Sequence, residues 1–416
     1  MFGESMTSPV LSRKRSLSAP ALTAAIGCAI CLALSLIPLF MGIFPVFLEP
    51  VSTEFGWGRS LFPQAPMIVG LTAAVAGPFI GRVLDRKGVR GILPIGFAIW
   101  YIGLFSLSLM DGSVAALYLV AVVIGIGGTI AGPIAFAKII NGWFDRNRGL
   151  ALGLVMSGVP AIATAIAIQV AQGLIDLQGW RVAYRILAIV AAVIAIPTAL
   201  LLVREAQHRD APGHARIIAD GLTGSEAFRS RDFLLTIGAS CIAVGALMGV
   251  TNHFLGWMTE RGVDKDMATL ALSLFSLAGP LGPIVGGFLV DRVSSPKVVA
   301  SFFAMGPMGM GLLLFGGNAA VVPGMVFFGL GFSSINGLAP YLISRYFGMK
   351  AGSEILAVTF AALTIGMGVG PVLIGLGHDI YGGYGQTMAM AGGAMLFTLI
   401  AALFFQPYRF SGPPRP

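Results

Sequence analysis

A chain of 416 residues that is 56% hydrophobic and only 11% charged, with a mean hydropathy of +0.88, is not a mostly solvated domain. Soluble proteins carry about 25% charged residues. The net charge of +8 invites a nucleic-acid reading, which the placement of the cations rejects. Five of the 26 Lys and Arg (Arg59, Arg181, Arg185, Arg261 and Lys265) fall between odd and even apolar spans, and the other 21 lie at the termini or in even-to-odd loops. Such an excess marks the cytoplasmic side, so the basic balance reports orientation. The expectation is a multi-pass protein of a plasma (bacterial inner) membrane, both termini cytoplasmic, with no nucleic-acid partner.

In chain order, residues 1–19 carry Arg13-Lys14-Arg15 and several serines and read as a disordered cytoplasmic tail. Apolar runs of roughly 20 residues, each long enough to cross a bilayer as a helix, then recur along the chain. They predict twelve spans at about 21–48, 61–83, 91–110, 114–139, 149–172, 181–203, 233–258, 267–291, 296–315, 319–344, 353–377 and 386–407. The first run is too long for the apolar core of a signal peptide and no small-residue cleavage site closes it, so it counts as a span. The chain's 57 glycines and 24 prolines suit a membrane protein, in whose helices neighbours re-satisfy freed backbone groups and small residues allow close approach. Gly125, Gly127, Gly128 and Gly132 in span four show this use, as do Gly366, Gly368, Gly370 and Pro371 in span eleven.

Residues 204–232 form the only long charged stretch between spans. They divide an N-terminal six-helix bundle (20–203) from a C-terminal one (233–408), with 204–232 a cytoplasmic linker and 409–416 a cytoplasmic tail. The halves repeat one another. Gly81-Arg-Val-Leu-Asp85-Arg86-Lys-Gly88-Val-Arg90, between spans two and three, has a shorter copy 206 positions later, Gly287-Phe-Leu-Val-Asp291-Arg292. Gly56 and Arg59 map onto Gly262 and Lys265 at the same offset of 206, Asp176-x-x-Gly179 onto Asp379-x-x-Gly382 at 203, and Gly132-Pro133 onto Ala339-Pro340 at 207. Two similar bundles packed face to face are able to rock about a site at their interface.

The hairpin resembles the G-x-x-x-D-R-x-G-x-R loop between helices 2 and 3 of the major facilitator superfamily of secondary transporters. The resemblance covers nearly the whole chain and implies an all-α membrane protein, with twelve transmembrane helices in two pseudo-symmetric six-helix bundles. Two further segments are similar to the monocarboxylate porter and oxalate–formate exchanger group. Phe55-Gly56-Trp57-Gly58-Arg59 looks like its F-G-W-S-R, and Trp143-Phe144-Asp-Arg-Asn-Arg148-Gly149-Leu-Ala-Leu-Gly153 like its W-F-x-x-x-R-G-x-A-x-G. Animal-type members carry an Asp and an Arg in span eight that are linked to proton and carboxylate binding. Lining up the glycines puts those positions near Ala278 and Gly282, and the exchanger's cations in spans eight and eleven are also absent. Carboxylate recognition therefore does not carry over residue by residue.

Candidate gating residues are Gly81, Asp85, Arg86, Gly88, Arg90, Asp291 and Arg292. Charge-assisted bonds from Asp85 to Arg86, Arg90 or a helix N-terminus of the other half would hold the cytoplasmic side shut. The plainer reading makes the cations topology signals. Substrate-binding candidates are the few polar groups inside the spans. Lys138 either snorkels to headgroups or holds an anion, and Arg185 poses the same choice. His253, beside Asn252, either bonds a backbone carbonyl or contacts substrate or proton. Asn336 needs a partner on another helix or on the ligand, and Tyr341 and Gln64 are weaker cases.

No phosphate loop, metal-ligand set or catalytic constellation occurs in the sequence, so no enzyme activity, cofactor or metal is expected. Cys28-x-x-Cys31 has no second pair and sits in an apolar helix, where packing is the better reading. The expected function is a monomeric secondary transporter of a small organic anion, proton-coupled or an exchanger, working by alternating access. The runner-up is an efflux pump for amphipathic compounds. The run Gly153-Leu-Val-Met-Ser157-Gly158-Val-Pro160 only partly matches the G-P-x-x-G-G-like run of drug–proton antiporters. A non-transporting membrane sensor on the same fold is a third reading.

Overall fold

The structure is a computed structural model that describes residues 19–143, 153–205, 221–292, 295–348 and 350–410, almost all of them helical. Among the described residues, ten helices are long and apolar enough to cross a membrane. The shorter apolar helix Leu93–Leu107 supplies span three, and the pair Lys265–Ala278 and Leu281–Arg292 supplies span eight. Asp85, Asp291 and Asn336 lie on helices Gln64–Lys87, Leu281–Arg292 and Val321–Gly337, and their side chains fall outside the described set. Residues 144–152 of the segment that begins at Trp143 do so as well.

The spans are less continuous than the hydropathy pattern suggests, and proline explains where. Span one is Ala19–Ala33, a π-helical turn Ile37–Gly42, and Phe44–Phe55. Pro38 has no N–H to offer the carbonyl four residues earlier. That carbonyl, Leu34 O, instead accepts the Tyr101 hydroxyl of span three at 2.8 Å. Span four breaks into Val114–Ile130 and Pro133–Trp143, and span ten at Leu338 before Ala339–Tyr346. These two breaks fall on the duplicated Gly132-Pro133 and Ala339-Pro340. Span eight breaks at Gly279-Pro280 in the same manner.

Span ends are set by glycine. Span two runs to Lys87 because Gly88, at φ 77°, takes a conformation that side chains resist, and its N–H closes on Leu84 O. Span eleven, Gly352–Tyr381, ends the same way at Gly382, φ 72°. Inside the bundles glycine serves contact. A Cβ on Gly249 would meet Gly370 O at 3.0 Å, so spans seven and eleven touch backbone to backbone. Cys28 and Cys31 are buried in this packing, with Cys31 Sγ 3.8 Å from Ala195 O.

In the described end of the linker, Thr223 caps the short helix Gly224–Phe228, exchanging hydrogen bonds with Glu226. The Thr223 N–H and hydroxyl hold the Glu226 carboxyl below its ordinary value. Leu222 N donates to Phe347 O at 2.8 Å, fastening the linker's end to the C-terminal half.

Candidate functional site

The crossings alternate, so the chain ends and the even-to-odd hairpins share one face, termed here the terminal face. The odd-to-even turns share the opposite face. On the opposite face two carboxylates, one from each half, reach across the interface. Asp379, at the end of span eleven, accepts from Arg59 N at 2.7 Å, Ser60 N at 3.1 Å and Ser60 Oγ at 2.8 Å. The turn Trp57-Gly58-Arg59-Ser60 wraps the carboxylate closely, since a Cβ on Gly58 would stand 2.6 Å from Asp379 Oδ2. Asp176, at the end of span five, bonds Lys265 Nζ at 2.6 Å at the start of span eight. These are the residues the duplication pairs with one another. The repeat has turned two copies of Asp-x-x-Gly into two reciprocal latches.

Below the latches the halves stay in contact for part of their length and then part. On one side, a Cβ on Gly368 would stand 2.8 Å from Met67, and one on Gly70 would stand 3.3 Å from Thr364. Gly77 and Gly81 follow Gly70 by seven and eleven residues, so they present the same helical face. A Cβ on either would meet nothing within 4 Å. On the other side, Gln169 Nε2 donates to Ser273 Oγ at 2.9 Å, and Ser273 Oγ lies 3.2 Å from Ala165 O. Gly158, seven residues before Ala165 and on its face, would meet only its own helix. Among the described residues the interface is a wedge, shut at the opposite face and open toward the terminal face. Beside the Asp176–Lys265 latch lies a cavity of about 450 Å³ between spans one, five, seven and eight, its polar lining including Glu49, Glu54, Gln172 and Lys265.

The terminal-face hairpin is held by its own half. Val89 N donates to Glu205 Oε1 at 3.0 Å, and Lys138 Nζ donates to Leu84 O at 3.0 Å. Arg86 and Arg90 are exposed, as is Arg292, whose guanidinium lies 4.0 Å over the Phe288 ring. Gly88 has the turn conformation expected of it, whereas Gly81 makes no close approach in this state.

The substrate candidates are not gathered into one cluster. Lys138 sits at the root of the hairpin, and Tyr341 packs near the same face against Tyr408 and Arg345. Gln64 stands near the opposite face, donating to Ser60 O at 3.3 Å and accepting from the Tyr118 hydroxyl. Asn252 and His253 are buried near that face. His253 is fully occupied, with Nε2 2.8 Å from Pro371 O and Nδ1 3.0 Å from the Tyr384 hydroxyl. A carbonyl only accepts, so Nε2 carries the proton and Nδ1 accepts from the tyrosine. This is the plainer of the two readings of His253. Arg185 reaches Ser108 Oγ at 3.2 Å, and Arg181 binds Glu54 at 2.7 Å. The sequence reading had Asp379, Asp176 and Lys265 only as landmarks of the repeat, and did not single out Gly58, Ser60 or Glu260. The repeat itself was the available signal, because residues equivalent in two facing halves are candidates to meet across the axis.

The sequence model described as Major Facilitator Superfamily matches residues 28–353 and 244–416. The chain belongs to the Major Facilitator Superfamily. Among its relatives in this superfamily, an "MFS-type transporter" of Gibberella moniliformis (strain M3125 / FGSC 7600) is 25% identical over 376 residues, 88% of each chain. "Monocarboxylate transporter 4" of Rattus norvegicus is 23% identical over 390 residues, 91% of this chain and 82% of the relative. The solved nucleoside transporter NupG superposes with a TM-score of 0.75 at 15% identity, covering 93% of this chain and 99% of that one. A bacterial homologue of the human lysosomal transporter Spinster, titled as inward-facing and unoccupied, superposes with a TM-score of 0.73 at 16% identity, covering 94% and 97%. At those identities the structures speak for the fold alone. This superfamily member is a transporter and not an enzyme.

Proposed function

We propose that the chain carries a small, monocarboxylate-like organic anion by alternating access, coupled to protons or by exchange. The observation that carries the anion reading is the position of Arg59. Its backbone N–H binds Asp379 at the junction of the halves, and its Nη2 lies 3.5 Å from Glu49. Its Nη1 is buried and has no hydrogen-bond partner among the described residues. A buried guanidinium nitrogen without an acceptor is costly, and an anionic ligand is the natural remedy. Arg59 also belongs to the Phe55–Arg59 segment that carries the subgroup resemblance, and relatives named as monocarboxylate transporters support the same class.

The wedge supports a cycle in which the terminal face is open while the latches hold the opposite face. In the reverse state the hairpin residues Gly81, Asp85, Arg86, Gly88 and Arg90, with Asp291 and Arg292, close the terminal face. The Lys/Arg bias favours placing that face, and both termini, in the cytoplasm. Uptake of a panel of labelled carboxylates into proteoliposomes, with and without a pH step, tests the reading. Saturable carboxylate uptake that falls about tenfold or more in Arg59→Gln is expected. Transport of neutral or cationic compounds alone would overturn the anion claim.

A further inference from the structure

Outward of His253, the ends of spans seven and eleven bring together a titratable cluster that adjoins Arg59 through Asp379. His378 Nε2 lies 3.0 Å from Glu260 Oε1, and His378 Nδ1 lies 3.5 Å from Asp379 Oδ1. Each ring nitrogen therefore faces a carboxylate. Glu260 is fixed from its other oxygen, Oε2, which accepts from Tyr384 N at 3.0 Å. The Tyr384 ring lies 4.3 Å from the imidazole centre and so limits how the ring can turn.

We propose that Glu260, His378 and Asp379 form a proton-binding site that sets how firmly the opposite face is closed. Carboxylates only accept, so Nε2 donates to Glu260 whatever the charge of the ring. The variable atom is Nδ1, which is buried and makes no hydrogen bond among the described residues, although Asp379 Oδ1 stands 3.5 Å away. Without a proton, its lone pair points at the Asp379 carboxylate, an unfavourable approach. With a proton taken from water on the opposite face, Nδ1 becomes a donor aimed at Asp379 Oδ1, the oxygen that also accepts from Arg59 N. The same carboxylate is then anchored from its own half by an imidazolium and from the other half by the turn. Proton binding and closure support each other, and by linkage each strengthens the other.

The other groups around the ring are Arg59 on the turn, Glu49 on span one, Tyr384 on span twelve, and His253 deeper on span seven. His253 has both nitrogens engaged and does not compete for the role. Arg59 opposes a positive ring, and Glu49, 3.5 Å from Arg59, offsets it. Closure should accordingly strengthen on acidification, as Nδ1 gains the proton it donates to Asp379, and weaken again once Asp379 itself is protonated.

The inference rests on the proposed moving halves, and the test separates the two. Spin labels at Leu177 and Phe315, exposed ends of spans five and nine, would report the width of the opposite face in the full chain in nanodiscs, with Cys28, Cys31 and Cys241 replaced. No substrate is needed. The closed-to-open ratio is expected to fall about tenfold between pH 5.5 and 8, a coupling of ordinary size between two linked equilibria. His378→Gln, which keeps a donor for Glu260 but does not titrate, should flatten that response. Asp379→Ala should open the face at every pH. An unchanged pH response in His378→Gln, or a flat one in the unmodified chain while Asp379→Ala still opens, would overturn the proton site alone. A face that stays shut in Asp379→Ala as well would overturn the moving halves and the proton site together.

Discussion

Asp379 and Asp176 descend from one position of the repeat, yet they close the same face in different ways. Asp379 is 26% exposed and takes three hydrogen bonds, two of them from backbone N–H groups. Asp176 is 46% exposed and holds the Lys265 ammonium, itself 56% exposed. The cause lies in the receiving turns. Gly58 of the first half has Asp264 as its counterpart 206 positions on. Asp264 caps the helix Lys265–Ala278 by accepting from Met267 N at 3.0 Å. It thereby fills with its own carboxylate the place that glycine leaves for Asp379. A second carboxylate there would meet like charge, so Asp176 instead takes the exposed Lys265 ammonium and, on its own helix, Gln172 Nε2 at 3.0 Å. Duplication supplied two latches, and the different receiving turns, Gly58-Arg59-Ser60 against Asp264-Lys265-Asp266, made one of them strong and the other weak.

The largest effect is expected from Asp379→Ala. Hydrogen bonds to a charged group contribute about 1.5–3 kcal/mol each. Even after a discount for partial exposure, carboxylate uptake should fall by about tenfold to a hundredfold, with the opposite face open in distance measurements. Gly375→Ala comes next, because its Cβ would press on the Arg59 carbonyl and push span eleven off the turn. A loss of roughly tenfold in uptake, with unchanged thermal stability of the separate bundles, is the expected result. Gly58→Ala should cost somewhat less, since the Asp379 carboxylate in its way is able to shift. Lys265→Gln is the smallest. Exposed ion pairs contribute about 0–1 kcal/mol, so uptake should change less than about fivefold and the residual effect should fade in high salt. If Lys265→Gln matched Asp379→Ala, the asymmetry drawn here between the latches would be wrong.

The architecture was largely readable from the chain, because the length of an apolar run that crosses as a helix is fixed by the thickness of the bilayer. The helix breaks were less so. Pro38, Pro133, Pro280 and Pro340 lie inside long apolar runs, and whether a proline is absorbed or breaks the helix depends on a neighbour such as Tyr101 taking the freed carbonyl. Pro371, inside the unbroken helix Gly352–Tyr381, shows the other outcome. The site was the least legible part. Polarity within a span drew attention to His253 and Gln64, whose partners turn out to be other helices and the adjoining turn. The interface instead uses backbone N–H groups of a turn and carboxylates at helix ends, which in sequence look like ordinary loop residues. Glu260 and His378 are 118 positions apart, and only the packing of span seven on span eleven brings them together.

The central claim is that latching at one face and parting at the other are two aspects of a single rocking motion. Paired distance measurements test it most directly, with one pair of labels at Leu177 and Phe315 and a second at Val83 and Val358, toward the terminal ends of spans two and eleven. Asp379→Ala is predicted to lengthen the first distance and shorten the second together. A first distance that lengthens while the second stays fixed would contradict the account.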